Sequence, residues 1–349
     1  MVPVIHRFVR GTLCAALVTA AALFLADPIV AVGERVLCEV TDPRLAEVSG
    51  MTASALHEGI MWVHNDSGDA ARLYALDLSD CAVVGEVFLR DRKKNEISAR
   101  DIEGIASGVD AQGRAVLWVA DIGDNLDSWE SVAIYRVREP ENLNRKYARA
   151  FEFGFTYEDR PHNAEAILAD PKSSQLWIVT KQLASGSIYA LPANLSRSKI
   201  NIAQRIGSVG SLITDATMRP EGSGFLLRDY FDAYTYQGMP PGEQGDKFAL
   251  PAQIQGEAIA FTRSGDALIT MSEKDDRVIE VRIDASEPTS EEISNNSSEQ
   301  SPSNSSEQSS VNYWPLVLGI AGGSALVTGL IIMSRKPKTK IAGNNKNAE

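Results

Sequence analysis

A short acidic phrase written five times constrains this chain most. The copies are AEVSG (46–50), DIEGIA (101–106), NAEAIL (163–168), TDATM (214–218) and QGEAIA (255–260), which set Glu47, Glu103, Glu165, Asp215 and Glu257 among small and apolar residues. After each phrase come two strand-like runs. They are IMWVHNDSGD and RLYALDL, VLWVADIGDN and VAIYRV, QLWIVTK and GSIYALP, GFLLRDY and DAYTYQ, and finally ALITMSE and RVIEVRI. Trp62, Trp118 and Trp177 align in one column with Phe225 and Ile269, and Tyr74, Tyr135, Tyr189 and Tyr234 align in another. Self-similarity at a period of tens of residues is the mark of a repeat architecture.

The runs are rich in Val, Ile, Tyr and Trp and are separated by turn signals such as DAQG (110–113) and SGD (264–266). A fourth, more polar strand fits between copies, as in AFEFGFTY (150–157). Four strands per repeat, with no long amphipathic helix, predict an all-β chain of the β-propeller class. The acids recur every roughly 40 to 60 residues, at or above the spacing of familiar blades. Five blades are predicted, and the long intervals 47–103 and 103–165 leave room for a sixth. The last copy stops near Ile283 without an outer strand, whereas VLCEV (36–40) precedes the first copy unassigned. Pairing these two pieces would close the ring and leave no sheet edge open.

Both ends are read apart from the repeats. His6, Arg7 and Arg10, an apolar run over 12–25 and the IVA at 29–31 predict a signal peptide over residues 1–31. The alternative, an uncleaved anchor, has a run shorter than the roughly 20 residues a span needs. Residues 314–333 are apolar, uncharged and of spanning length, and Arg335, Lys336, Lys338 and Lys340 follow them. This predicts one transmembrane helix with a basic cytoplasmic tail over 334–349. Residues 285–312, dominated by Ser, Asn, Glu and Gln with NSSEQ written twice, predict a disordered stalk. The expected organisation is a single-pass type I cell-membrane protein with the propeller, residues 36–284, outside the cytoplasm. Gly319 and Gly323 form a GxxxG in the span, which leaves the oligomeric state open.

Of three cysteines, Cys14 lies in the signal, so Cys38 and Cys81 remain to the exported part. An even count in an exported chain favours a disulfide, which would tie the closing strand to the first copy. No CxxC or Cys/His set supports zinc. A net charge of −12 without a basic stripe excludes a nucleic-acid partner.

In a propeller the first strand of each blade lines the central channel, so the five acids would form a ring there. Crowded carboxylates raise one another's pKa, and hard oxygen donors suit calcium. Glu47, Glu103, Glu165, Asp215 and Glu257 are therefore the expected metal ligands. The same position also suits a purely structural role, accepting hydrogen bonds from a neighbouring blade's backbone. Asp66, Asp121, Asp124, Asn125, Lys181, Arg228 and Glu273, at or near the ends of the second strands, are the expected ligand-binding residues. DIGDN (121–125) is like a fragment of a calcium loop but lacks the rest of one. His64 and His162 stand near Asp66 and Glu165, and no GxSxG elbow frames a serine nucleophile.

The phrases EGIA (103–106) and GEAIA (256–260) resemble those of secreted calcium-dependent β-propeller hydrolases, including β-propeller phytases and esterase-like propellers. HNDSGD, ADIGDN and PHNAEA are similar to segments of a group of exported bacterial propellers without assigned activity, the closer likeness of the two. The phytase resemblance implies calcium held by acids on one face, with Lys or Arg binding phosphate, a role for which Lys181 and Arg228 are placed. Two expectations follow: a membrane-tethered propeller binding a cell-envelope ligand or protein, and a metal-dependent phosphoester or ester hydrolase.

Overall fold

Near-continuous apolar runs between Gly and Asp turns give the chain strands buried on both faces, and it stacks them as sheets. A computed structural model describes residues 29–66 and 68–285. The signal up to residue 28, most of the stalk, the span and the tail lie outside these residues. Among the described residues no helix is long and apolar enough to cross a membrane.

Four-stranded antiparallel units follow one another along the chain. The first comprises β2 (Val48–Ala53), β3 (Ile60–Asn65), β4 (Arg72–Asp77) and β5 (Val83–Arg90). The second holds β6 (Ile102–Val109), β7 (Ala115–Asp121), β8 (Val132–Arg138) and β9 (Tyr147–Tyr157). The third is β10 (Ala164–Ala169), β11 (Leu176–Thr180), β12 (Gly186–Ala190) and β13 (Asn201–Val209). The fourth is β14 (Asp215–Met218), β15 (Gly224–Arg228), β16 (Asp232–Gln237) and β17 (Glu243–Ala249). The fifth takes β18 (Gln255–Phe261), β19 (Ala267–Glu273) and β20 (Asp275–Ala285) from the end of the repeats, and its outer strand is β1 (Ile29–Glu39) from the beginning.

The first strands β2, β6, β10, β14 and β18 are neighbours in that order, and β18 also neighbours β2. That closed ring is a β-propeller. Its core consists of five apolar layers, one between each pair of consecutive units. The closing strand extends beyond VLCEV: Ile29 to Ala31, at the end of the expected signal, already pair with Ala285 to Ile283. Cys38 on β1 is bonded to Cys81 in the turn after β4, with their Cα atoms 5.7 Å apart. The long β9 pairs in parallel with β5 at one end and with β13 at the other, which covers outer edges of three units.

The aromatic columns hold with one correction. Tyr74, Tyr135, Tyr189 and Tyr234 pair with Val63, Val119, Ile178 and Leu227. The residues just before those partners are Trp62, Trp118, Trp177 and Leu226, so Leu226 and not Phe225 continues the Trp column. Packing agrees: Trp62, Trp118, Trp177, Leu226 and Ile269 pack toward the following unit, and Phe225 toward the preceding one. The sequence GFLLR offers two large apolar residues in succession, and only the pairing decides between them.

Candidate functional site

Register places the channel residues. A bulge interrupts the pairing of β2, β6, β10 and β18 at one position, occupied by Ser49, Glu103, Glu165 and Glu257. The next residue, Gly50, Gly104, Ala166 or Ala258, pairs two places beyond the Trp column, and in the fourth unit the residue that does so is Asp215, opposite Arg228. The fourth member of the ring is therefore Thr214. The channel carries Ser49, Glu103, Glu165, Thr214 and Glu257, three glutamates and two hydroxyls.

Two expected ring members are thereby corrected. Glu47 lies before β2 and is exposed. Asp215 is buried but turned to the next unit, where Oδ2 accepts the Ile259 backbone N–H at 2.8 Å, while Oδ1 accepts that of Ala216 in its own strand at 2.7 Å. For Asp215 the structural role holds. A small residue after the ring position marks the alignment: SG, EG, EA and EA satisfy it, while in TDA the aspartate itself takes the small residue's place.

Two residues past the strand position opposite Gly50 and its equivalents lies a second tier, Asp66, Ile122, Lys181, Tyr230 and Glu273. Lys181 Nζ stands 3.1 Å from Glu165 Oε1 and 4.0 Å from Glu257 Oε1. Burial opposes its charge, yet Glu165, Tyr230 and Glu257 hold its pKa well above the usual lysine value. Burial drives Glu165 up to about 7 despite that lysine. Glu273 rises to about 9 from burial and from Glu257 beside it.

On the other side of the mouth three acids meet. One carboxylate oxygen each from Asp66, Asp101 and Glu103 lie within 4.8 Å of one another. Asp101 is 8% exposed, and its Oδ1 has no hydrogen-bond partner. Burial and then Asp66 and Glu165 push Asp101 up to about 7, and burial with Glu165 and Asp66 raises Glu103 well above the carboxylate range. Ser49 Oγ donates to Glu103 Oε2 at 3.2 Å. A Cβ on Gly123 would collide with the Asp101 carboxylate and lie 2.7 Å from Glu103 Oε1, so a larger residue there would displace both side chains.

Asp121, Asp124 and Asn125 build this wall without facing the cluster. Asp121 Oδ1 accepts the backbone N–H of Arg100 and Asp101 at 3.0 and 2.7 Å, fixing the segment that presents Asp101. Asp124 Oδ2 accepts the N–H groups of Ser128 and Trp129, and Asn125 Oδ1 accepts from Asn163 Nδ2 at 3.3 Å. Arg228 is fully buried, donates to Ala258 O and Thr270 Oγ1, and is lowered by burial to about 10. His64 fills the space beside Gly50, and His162 contacts Tyr189 and Asp159 away from the mouth.

Three carboxylates meeting within 4.8 Å satisfy the span of ligands roughly 2.4 Å from one calcium ion. Asp101, the first residue of DIEGIA and not one of the expected ligands, belongs to this set.

The chain is similar to glutaminyl cyclase from Myxococcus xanthus, at 12% identity and a TM-score of 0.42, over 72% of this chain and 96% of that one. It is also similar to a glucose dehydrogenase, at 9% identity and a TM-score of 0.44, over 71% and 99% of the two chains. A chain of the mitotic checkpoint complex matches at 12% identity and a TM-score of 0.35, over 66% of this chain, which spans about 62% of that one. No family model matches the sequence, and no curated protein does.

Proposed function

We propose that the protein is a binding propeller whose acidic mouth takes up an oxygen-preferring divalent cation, calcium by its chemistry, and presents it to a cell-envelope ligand or protein. The observation that carries this is the meeting of Asp66, Asp101 and Glu103, with an Asp101 oxygen lacking any donor. Buried acids that repel one another are costly as anions unless a positive charge joins them. Lys181 pairs with Glu165 and Glu257 and only partly offsets Glu103, so a cation beside Asp101 would complete the neutralisation.

The loops at this end carry exposed Leu126, Leu183 and Phe231, and Ile254 stands on the connection into β18. Apolar side chains around a charged centre suit recognition of a partner surface. The Cys38–Cys81 disulfide fits an oxidising compartment. With the spanning-length segment at 314–333 it supports a membrane-tethered, extracytoplasmic placement.

A phosphoester hydrolase reading that holds phosphate on Lys181 or Arg228 is less well supported, since Arg228 is enclosed and Lys181 is held by two glutamates.

Calcium titration of the full chain, followed by thermal melting and calorimetry, tests the proposal. Calcium should raise the melting temperature, and Glu103→Gln should weaken its binding at least tenfold. An unchanged melting temperature together with an unchanged affinity in the variant would sink it.

A further inference from the structure

The opposite end of the channel has another chemistry. The carboxyl-terminal ends of the five first strands and the turns after them enclose a funnel of about 540 Å³, within the roughly 300 to 1,000 Å³ of small-molecule sites. Its inner wall is small and mainly apolar, with Ala53, Ala106, Ala169 and Met218, and no Asp or Glu among the described residues lines it. Its charged lining residues are Arg219 and Arg263, at the ends of the fourth and fifth first strands.

Arg219 is placed for a ligand. Its side chain is 14% exposed and its guanidinium lies over the Phe261 ring at 5.6 Å. Its acidic neighbour Glu221 is half exposed and 3.6 Å away, a loose pairing that leaves donors of the planar fork for another partner. Arg263 is exposed at the rim. Thr52 and Thr217 accept backbone N–H bonds from Ser107 and Phe261 of the following units, at 2.9 and 3.2 Å, which holds the wall in place around the space.

We propose that this funnel binds a small amphipathic anion, with its carbon body against the alanine wall and a single carboxylate held between Arg219 and Arg263. Apolar walls favour burial of carbon, and with Glu221 only loosely paired and half exposed, the two guanidinium groups select a negative head over a neutral or positive one. The site stands apart from the acidic mouth and does not rest on cation binding there.

Binding of 2-naphthoate to the full chain, by equilibrium dialysis against a blank of the same membrane mimic, tests this. Saturable binding is expected, with the neutral 2-naphthamide at least tenfold weaker. Arg219→Met with Arg263→Met should weaken naphthoate at least tenfold and leave naphthamide unchanged, while Met218→Trp should weaken both. Circular dichroism melting checks that each variant folds, and the arginine pair, being partly exposed, gives a reading even if Met218→Trp does not. Glu103→Gln should leave naphthoate binding unchanged. Absence of saturable binding, equal affinity for the amide, or indifference to the arginine changes would overturn the proposal.

Discussion

The carboxylate of Glu139, just past the third strand of one blade, accepts the indole N–H of Trp62 from the preceding blade at 2.9 Å. The same buried carboxylate accepts from Ser54 Oγ and from the Ala55 backbone N–H. One acid thus satisfies three donors from the first blade. Glu139→Ala strands all three, and a loss of about 3 kcal/mol is expected, as for breaking a buried charge-assisted network. Glu139→Gln, which keeps the shape and one acceptor oxygen, should cost less. Urea unfolding of both variants measures the difference.

Stability without calcium should fall as pH rises. Asp101 and Glu165 titrate near 7 in the folded protein and Glu273 near 9, against roughly 4 for unfolded carboxyls. Between these values the folded state holds more protons than the unfolded one, so raising pH favours unfolding. The melting temperature should therefore drop from pH 5 to pH 8 in chelator, and saturating calcium should flatten that slope. A melting temperature that climbs over this range in chelator would contradict the pKa assignments.

The ring assignment separates three acids. Glu47→Gln should leave calcium affinity and stability unchanged, because Glu47 is exposed outside the channel. Asp215→Ala should lower stability by about 1 to 3 kcal/mol through the lost Ile259 and Ala216 bonds. Its calcium affinity should stay within a factor of two. Glu103→Gln should show the reverse pattern.

What the sequence made legible is the repeat and its closure: Trp62, Trp118, Trp177 and the tyrosines mark the sheets because packing between blades demands large side chains at fixed places. The ring was legible where the acid itself occupies the ring position, at Glu103, Glu165 and Glu257; Asp215, which also precedes a small residue, shows that the pattern alone does not settle it. At Ser49 and Thr214 the ring position has lost its charge, and a nearby acid, Glu47 or Asp215, takes its place in a reading by composition. A shift of two residues in the first unit and of one in the fourth separates the readings, and strand pairing across the sheet decides both. Asp101 was hidden for another reason. Its role depends on the turn through Gly123 and on Asp121 holding its backbone, contacts made 20 residues apart.

Reduction of the disulfide should cost about 4 kcal/mol, the loop-closure value for residues separated by 43 positions. Cys38→Ser should match the reduced wild type in its urea midpoint. A reductant that further destabilises Cys38→Ser would show that some other thiol chemistry is at work.

Pairing β1 with β20 makes the ring a matter of timing. The strand that completes the last blade is the earliest of the described strands to be synthesised, and its partner is the latest, about as far apart along the chain as the fold permits. During synthesis β1 must wait, with its hydrogen-bonding edge unmet, until nearly the whole propeller has been made. Cys38 and Cys81 both emerge in the first third of that interval, so the waiting strand can already be moored to its neighbour blade. The described strands begin with the latch and end with the catch.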